Sequence, residues 1–490
     1  MASRLICDFS GYRHSQGHLP PRCPAPGGNR GRHLILQTYV QILPSGHDLA
    51  ARSPSGLVLA PFRGVRYAEA RVSGLAEVTS PPYDVIASEN EDQLLASDPY
   101  NVVRIIRPHH PAGQPGSSWD DAAADLRQWL DEAILVPDSS PALYVYEQLT
   151  AGQDGKPGRL QRGVIGAVRL VSRDAGIVRP HEAVAPGPVA GRLALMEATQ
   201  ANLEPIFLLY DGTGQGDAQH GATTRIVTEA ATARPPLAQA RTPDGIRHRL
   251  WAITDPAELA EIAADLEPRS ALIADGHHRY AAYLELQERR HAAGAGGGPW
   301  DFGLALLVDS AAYPPQVGAI HRVIPGLASD QAAALAATAF RVSELPGGTA
   351  DLPAALQRLD AAGHDVAFLL AGDGRAYLLT DPDPDQVEAA MRHEPAEPWR
   401  RLPAAVLQEL LMGRIWRTGD DEATISAVHD PVAAIHAADG TPGTTAVLCT
   451  PMSAADVYEV AAQRRIVPRK STSFGPKPRT GLVLRTFAQS

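Results

Sequence analysis

From Leu57 onward, short apolar runs alternate along the chain with stretches in which apolar residues recur at helical spacing. The first kind predicts strands over 57–66, 101–107, 142–149, 162–171, 206–210, 248–253, 271–274 and 302–308. The second predicts helices over 119–134, 192–202, 256–266 and 280–292. QDGKPG at 153–158 has the Gly, Pro and Asp content of a hairpin turn. The glycine-rich stretch 294–298 reads as a flexible loop. Past Pro325 the texture changes to alanine-rich helices (330–339, 350–362), a strand pair (366–371, 375–379) and further helices. Antiparallel pairs mixed with helices make the fold class α+β. The expected order is a mixed-sheet core lobe (57–325), a smaller alanine-rich α/β lobe (326–450) and a C-terminal segment (451–490) closing on the core. No internal repeat is visible.

Residues 1–56 are rich in Arg, Pro, Gly and Ser and show no sustained periodicity. They read as a disordered extension or a misassigned start. With 44% hydrophobic and 20% charged residues, the remainder is ordinary globular material, and 490 residues suffice for more than one core. A net charge of -11 disfavours a non-specific nucleic-acid binder, which needs an electropositive surface to replace counterions. Cys7, Cys23 and Cys449 cannot build a disulfide framework, so a reducing cytoplasm is expected. Cys449 lies in an apolar run, where a thiol is usually inert. No apolar run approaches the roughly 20 residues of a membrane span.

Chemistry concentrates in a few clusters. Asp275-Gly276-His277-His278-Arg279 follows an apolar run and opens a predicted helix. A glycine that admits close backbone approach, the N–H groups of a helix start, two imidazoles and a guanidinium suit a phosphate or carboxylate. The competing reading is a helix start with Asp275 near the cap and solvated histidines. Arg179-Pro180-His181-Glu182 places a carboxylate in a loop, as a general base or as a surface residue. Arg63 in PFRG and Asp84 in PPYDVI are candidates for substrate contact, as is His181. His321-Arg322 reads as a solvated pair. Residues 468–477, PRKSTSFGPK, offer Lys470, Ser471 and Lys477 to a phosphate without the frame of a P-loop; a structural closing strand is the other reading.

The blocks PFRGVRY, PPYDVI, RPHEAVAPGPVAGRLALMEATQANLEPIF, ADGHHRYAAYL and VPRKSTSFGPKPRTGLV resemble, in kind and order, the bacterial and archaeal domain of unknown function 1015 family, from Leu57 to the end. More distantly, PHE followed by DGHHR resembles the ParB/sulfiredoxin-like nucleotide-binding fold and, within it, the free serine kinases, which phosphorylate L-serine with ADP or ATP. That resemblance implies Glu182 as the base that activates a hydroxyl. It implies Gly276, His277, His278 and Arg279 as the phosphate turn and Asp275 as the acidic residue leading into it. It also requires an insertion over 206–266. Val184 and Gly191 depart from the threonine and the acidic residue usual there. Sulfiredoxin itself is excluded, because His277 stands where its nucleophilic cysteine would be.

Phosphoryl transfer asks a protein to position a nucleophile and neutralise charge. Asp275 is the candidate catalytic carboxylate and Mg²⁺ ligand beside Glu182. Arg192, Lys470 and Lys477 are further sources of positive charge. The expected partners are ATP or ADP with Mg²⁺ and a small hydroxylated metabolite. Two alternatives stand beside this kinase reading: a nucleotide- or phosphate-binding regulatory protein without transfer, and a metal hydrolase using His181, His277, His278 and His321.

Overall fold

A strand that buries both faces reads as a continuous apolar run. IFLLY, ALIAD and FGLALLVD are of this kind, and all three lie inside one nine-stranded mixed sheet. The structure, a computed structural model, describes residues 55–86, 88–109, 117–152, 158–214, 219–362, 366–393, 397–419 and 424–489. The strands of this sheet are β1 (Leu59–Ala60), β2 (Leu143–Leu149), β3 (Leu160–Arg169), β4 (Val178–Arg179), β5 (Ile206–Tyr210), β6 (Ala238–Arg241), β7 (Arg247–Ile253), β8 (Ala271–Asp275) and β9 (Phe302–Asp309). Their order is β4-β8-β5-β9-β3-β2-β7-β6, with β1 beside β3. The pairs β4/β8 and β5/β9 are parallel. The others are antiparallel.

The period of two divides the sheet into two buried faces. Ile206, Leu208 and Tyr210 join Val145, Val164, Ile273 and Leu307 in one core. Phe207 and Leu209 join Tyr144, Ile165, Leu272 and Leu306 in another. Helices of this region include α1 (Ser118–Asp131), α2 (Pro186–Thr199), α3 (Ala222–Ala233), α4 (Pro256–Leu266) and α5 (His277–Ala292). Val189, Leu193 and Met196 of α2, Leu259, Ile262 and Leu266 of α4, and Tyr280, Tyr283 and Leu286 of α5 supply apolar stripes to the first core. Each fully buried Leu, Ile or Val contributes roughly 1.5–3 kcal/mol.

A second, six-stranded antiparallel sheet contains β10 (His321–Pro325), β11 (Arg341–Glu344), β12 (Phe368–Gly372), β13 (Arg375–Thr380), β14 (Ser426–Val428) and β15 (Thr444–Cys449). Its order is β11-β13-β12-β15-β10-β14. Phe368, Leu370 and Val447 from this sheet share a core with Phe207 and Leu306 of the first. The C-terminal segment returns across both. Thr472–Gly475 pairs with Gln316–Ala319, Thr480 bridges Ser80, Leu484 bridges Val65, and Arg485–Thr486 pairs with Ala201–Asn202.

The structure corrects several expectations. The predicted strand 101–107 is instead the short helix Val103–Ile106; just ahead of it the Asn101 side chain accepts from Val103 N (2.9 Å), a local bond that turns the chain out of an extended path. The predicted strand 57–66 divides into β1 and the separate strand Val65–Tyr67. Helix α2 begins at Pro186 rather than at Arg192, since prolines are preset for a first helical turn. The hairpin turn predicted at 153–158 falls mostly on residues outside those described, as do residues 1–54.

Candidate functional site

Parallel neighbours β4 and β8 end on the same side of the sheet. Pro180-His181-Glu182 follows the first, and Asp275 leads from the second through Gly276 into α5. The C-terminal ends of parallel strands are where open α/β sheets present ligand sites. Gly276 has φ 93°. A Cβ there would lie 2.9 Å from Ile206 Cγ2 and 3.1 Å from Arg279 Nε, so the turn needs glycine. Among the described residues no side chain caps α5, and the positive end of its dipole faces the turn.

Backbone partners fix the tautomers of three histidines. His181 Nδ1 donates to Ile273 O (2.6 Å), leaving Nε2 to accept from Thr472 Oγ1 (2.9 Å). His277 Nε2 accepts from His181 N (3.3 Å), and the two rings meet edge to face at 4.5 Å. His278 Nε2 accepts from Ala185 N (3.0 Å), so its proton sits on Nδ1. Burial keeps all three neutral: it lowers the His181 pKa to about 4 and the other two below the ordinary value.

Glu182 Oε1 accepts from Lys470 N (3.0 Å), and Val467 N donates to His181 O (2.7 Å). Burial raises the Glu182 carboxyl, against the opposing pull of the Lys470 N–H. Arg322 of β10 holds the same loop from the second sheet through Lys470 O (3.1 Å) and Arg469 O (3.0 Å). His321 and Arg322 are therefore buried and bonded, not the solvated pair expected; His321 Nδ1 accepts from Cys449 N (3.3 Å). Burial pushes the Cys449 thiol up to about 12.

A charge network runs beneath the turn. Arg279, 4% exposed, donates to Asp275 Oδ2 (2.5 Å) and to Pro205 O (2.7 Å). Lys477 Nζ lies 2.5 Å from Asp275 Oδ1 and 3.2 Å from Asp84 Oδ2. Arg192 donates to Ile106 O (2.9 Å), stacks on Tyr83 with its guanidinium carbon 4.1 Å from the ring centroid, and lies 3.7 Å from Glu204 Oε2. Glu204 Oε1 accepts from Tyr83 N (3.0 Å). Burial and the nearby Asp84 charge raise the Asp275 carboxyl. At Asp84, Lys477 and Arg279 outweigh burial and hold the carboxyl below its usual range.

Thus Glu182, His181, Asp275, the GHHR residues, Lys470, Lys477 and Asp84 come together, with Arg192 behind Tyr83. Ser471 is buried and donates to Pro468 O, while Arg63 donates to Asp138 O (3.0 Å). Glu204 was missed, although a carboxylate inside the apolar stretch LEPIF is a signal of a buried charge. His429, after β14, was also missed and lies within electrostatic reach of Asp84, Asp275, Lys470 and Lys477. A cavity of about 610 Å³ lined by Phe62, Leu170, His291, Asp301, Phe302 and Arg485 shares none of these residues.

No group of three or more His, Cys, Asp or Glu among the described residues could hold a metal ion. Both His181 nitrogens are committed, so the four-histidine centre does not form. Nor does Asp275 fit Mg²⁺, because each of its carboxylate oxygens already faces a side-chain cation.

Residues 59–405 match the DUF1015 family, described as a protein of unknown function. The chain belongs to that family. The match stops short of the PRKST block. No curated protein matches the chain. Among solved structures it is similar to free serine kinase in complex with AMP, at 12% identity and a TM-score of 0.29 over 61% of this chain and 84% of that one. A variant free serine kinase in complex with ADP gives 12% and 0.31 over 65% and 88%. SbnI with C-terminal truncation from Staphylococcus aureus gives 9% and 0.32 over 66% and 87%. The chemistry of this DUF1015 site therefore rests on its own residues. No helix among the described residues is long and apolar enough to cross a membrane.

Proposed function

We propose that the chain is a nucleotide-dependent small-molecule kinase on a ParB/sulfiredoxin-like core, acting in the cytoplasm. ATP or ADP supplies the phosphoryl group and a serine-like hydroxyl accepts it. The hydroxyl oxygen forms the new P–O bond, the bond from phosphorus to the leaving nucleotide oxygen breaks, and Glu182 takes the hydroxyl proton. The observation that carries this reading is adjacency: Glu182 and the N-terminus of α5 follow neighbouring parallel strands. A carboxyl raised by burial is a better base near neutral pH than a solvated one. The first-turn N–H groups, His278 Nδ1–H and the Lys470 ammonium are the donors for phosphate oxygens. Arg279 supports the turn from below through Asp275 and Pro205.

Nucleotide consumption against a panel of amino acids and hydroxylated metabolites tests the reading. Glu182→Gln should lower turnover by about 10²–10⁴-fold and leave nucleotide affinity unchanged. Turnover at the wild-type rate in that variant would remove Glu182 as the base. The hydrogen bond from Lys470 N to Glu182 favours one second reading, a nucleotide-binding regulator in which this carboxylate latches the C-terminal loop. Nucleotide binding with no acceptor-dependent turnover would select it.

A further inference from the structure

Lys156, Lys470 and Lys477 are the only lysines in a chain whose lysines and arginines together number 44. In so arginine-biased a composition, a lysine at the centre of a charge network invites a physical reason. Arginine presents a planar fork that engages a carboxylate edge, whereas an ammonium is a compact point charge with three donors. Lys477 uses that compactness: its Nζ stands between Asp275 Oδ1 (2.5 Å) and Asp84 Oδ2 (3.2 Å). A divalent ion shared by these two carboxylates, with oxygens at about 2.0–2.6 Å, would compete with Nζ for the space between them. The second Asp275 oxygen faces Arg279 at 2.5 Å. Asp84, Asp275 and Glu204 are matched one for one by Lys477, Arg279 and Arg192. A further double charge would leave the network unbalanced in a partly desolvated place.

We propose that Lys477 is the resident cation of this site, occupying the position between Asp84 and Asp275 that a divalent metal would take. An anion at the GHHR turn is then left to the turn's own donors and Lys470, with Lys477 committed to the two carboxylates, and the protein holds no metal there. This concerns the same site as the kinase reading and rests on it only for the anion's identity.

Mn²⁺ titration of the full-length protein without nucleotide, read by the loss of the free-ion electron paramagnetic resonance signal, tests the claim. The wild type should bind no stoichiometric Mn²⁺. Lys477→Met frees both carboxylates and should gain one site, at least about tenfold tighter than anything in the wild type. The double change Lys477→Met, Asp275→Asn should lose it. Stoichiometric Mn²⁺ in the wild type that Asp275→Asn abolishes would overturn the proposal, whether or not Lys477→Met folds. So would a folded Lys477→Met, by circular dichroism, that gains no site. ADP titrated into the wild type with and without EDTA separates the two ideas: equal affinity supports the resident cation, and loss of affinity on chelation overturns it. Absence of ADP binding under both conditions counts against the kinase reading alone.

Discussion

Gly276 and Arg279 sit three positions apart and answer for the turn in different ways. At Gly276 a methyl group would enter a space closed by Ile206 and Arg279, on backbone at φ 93°. Gly276→Ala should therefore destabilise the fold by about 1–3 kcal/mol, measured as a lower urea midpoint with unchanged slope. Arg279 has the residue type of a phosphate ligand, but its buried guanidinium is bonded to Asp275 and Pro205. Arg279→Met should leave the Asp275 and Glu204 charges short of a partner, at about 3–5 kcal/mol of stability. A variant as stable as wild type in urea would return Arg279 to the ligand's side. The strand, turn and helix start of DGHHR were legible from residue types and spacing, while its partners were not. Asp84 and Lys477 meet across 393 positions of chain, and no local pattern announces such a pair.

At the level of elements, strands that bury both faces were legible as uninterrupted apolar runs, and α4 was legible from its helical period. The helix at Val103–Ile106 was not, because four buried aliphatics around one arginine look alike in either state, and the local bond from Val103 N to the Asn101 side chain has no periodicity to announce it. Charge inside a strand was also hard to read. Glu147 of β2 is 1% exposed and lies directly opposite Arg162 of β3 and Arg249 of β7. Its oxygens accept from Arg162 Nε at 2.9 Å and from Arg249 Nε at 2.8 Å. One carboxylate thus pins three strands in register. Glu147→Ala should cost about 3–5 kcal/mol, because it strands a buried guanidinium. Hydrogen exchange should show the loss as faster exchange in β2, β3 and β7, with β12 and β15 little changed; uniform acceleration would mean that Glu147 does not act as a local clamp.

Across the whole molecule, one core joins the two sheets, and the C-terminal segment is held by Gln148 and Gln161 of the first and Arg322 of the second, so both should respond to a stress that acts on buried groups in each. Protonation is such a stress. His181 beneath the candidate site, His248 in the first sheet and His321 in the second are each pushed down to about 4 by burial, from an ordinary 6.5. A histidine whose folded pKa is depressed contributes stability that is fully present above its unfolded value and is lost as pH falls towards the folded one. The window therefore runs from about pH 6.5 down to about 4. Between pH 7 and 5 each of the three should withdraw about 2 kcal/mol, with unfolding taking up protons throughout. Urea titrations across that range should show a falling midpoint by both a near-ultraviolet probe of the first sheet and hydrogen exchange in the second. Replacing His248 by Gln should flatten the fall by that residue's own share, about 2 kcal/mol. A midpoint constant from pH 7 to 5 would mean that these imidazoles are hydrated or charge-compensated in the folded chain, and the burial argument would fail with it.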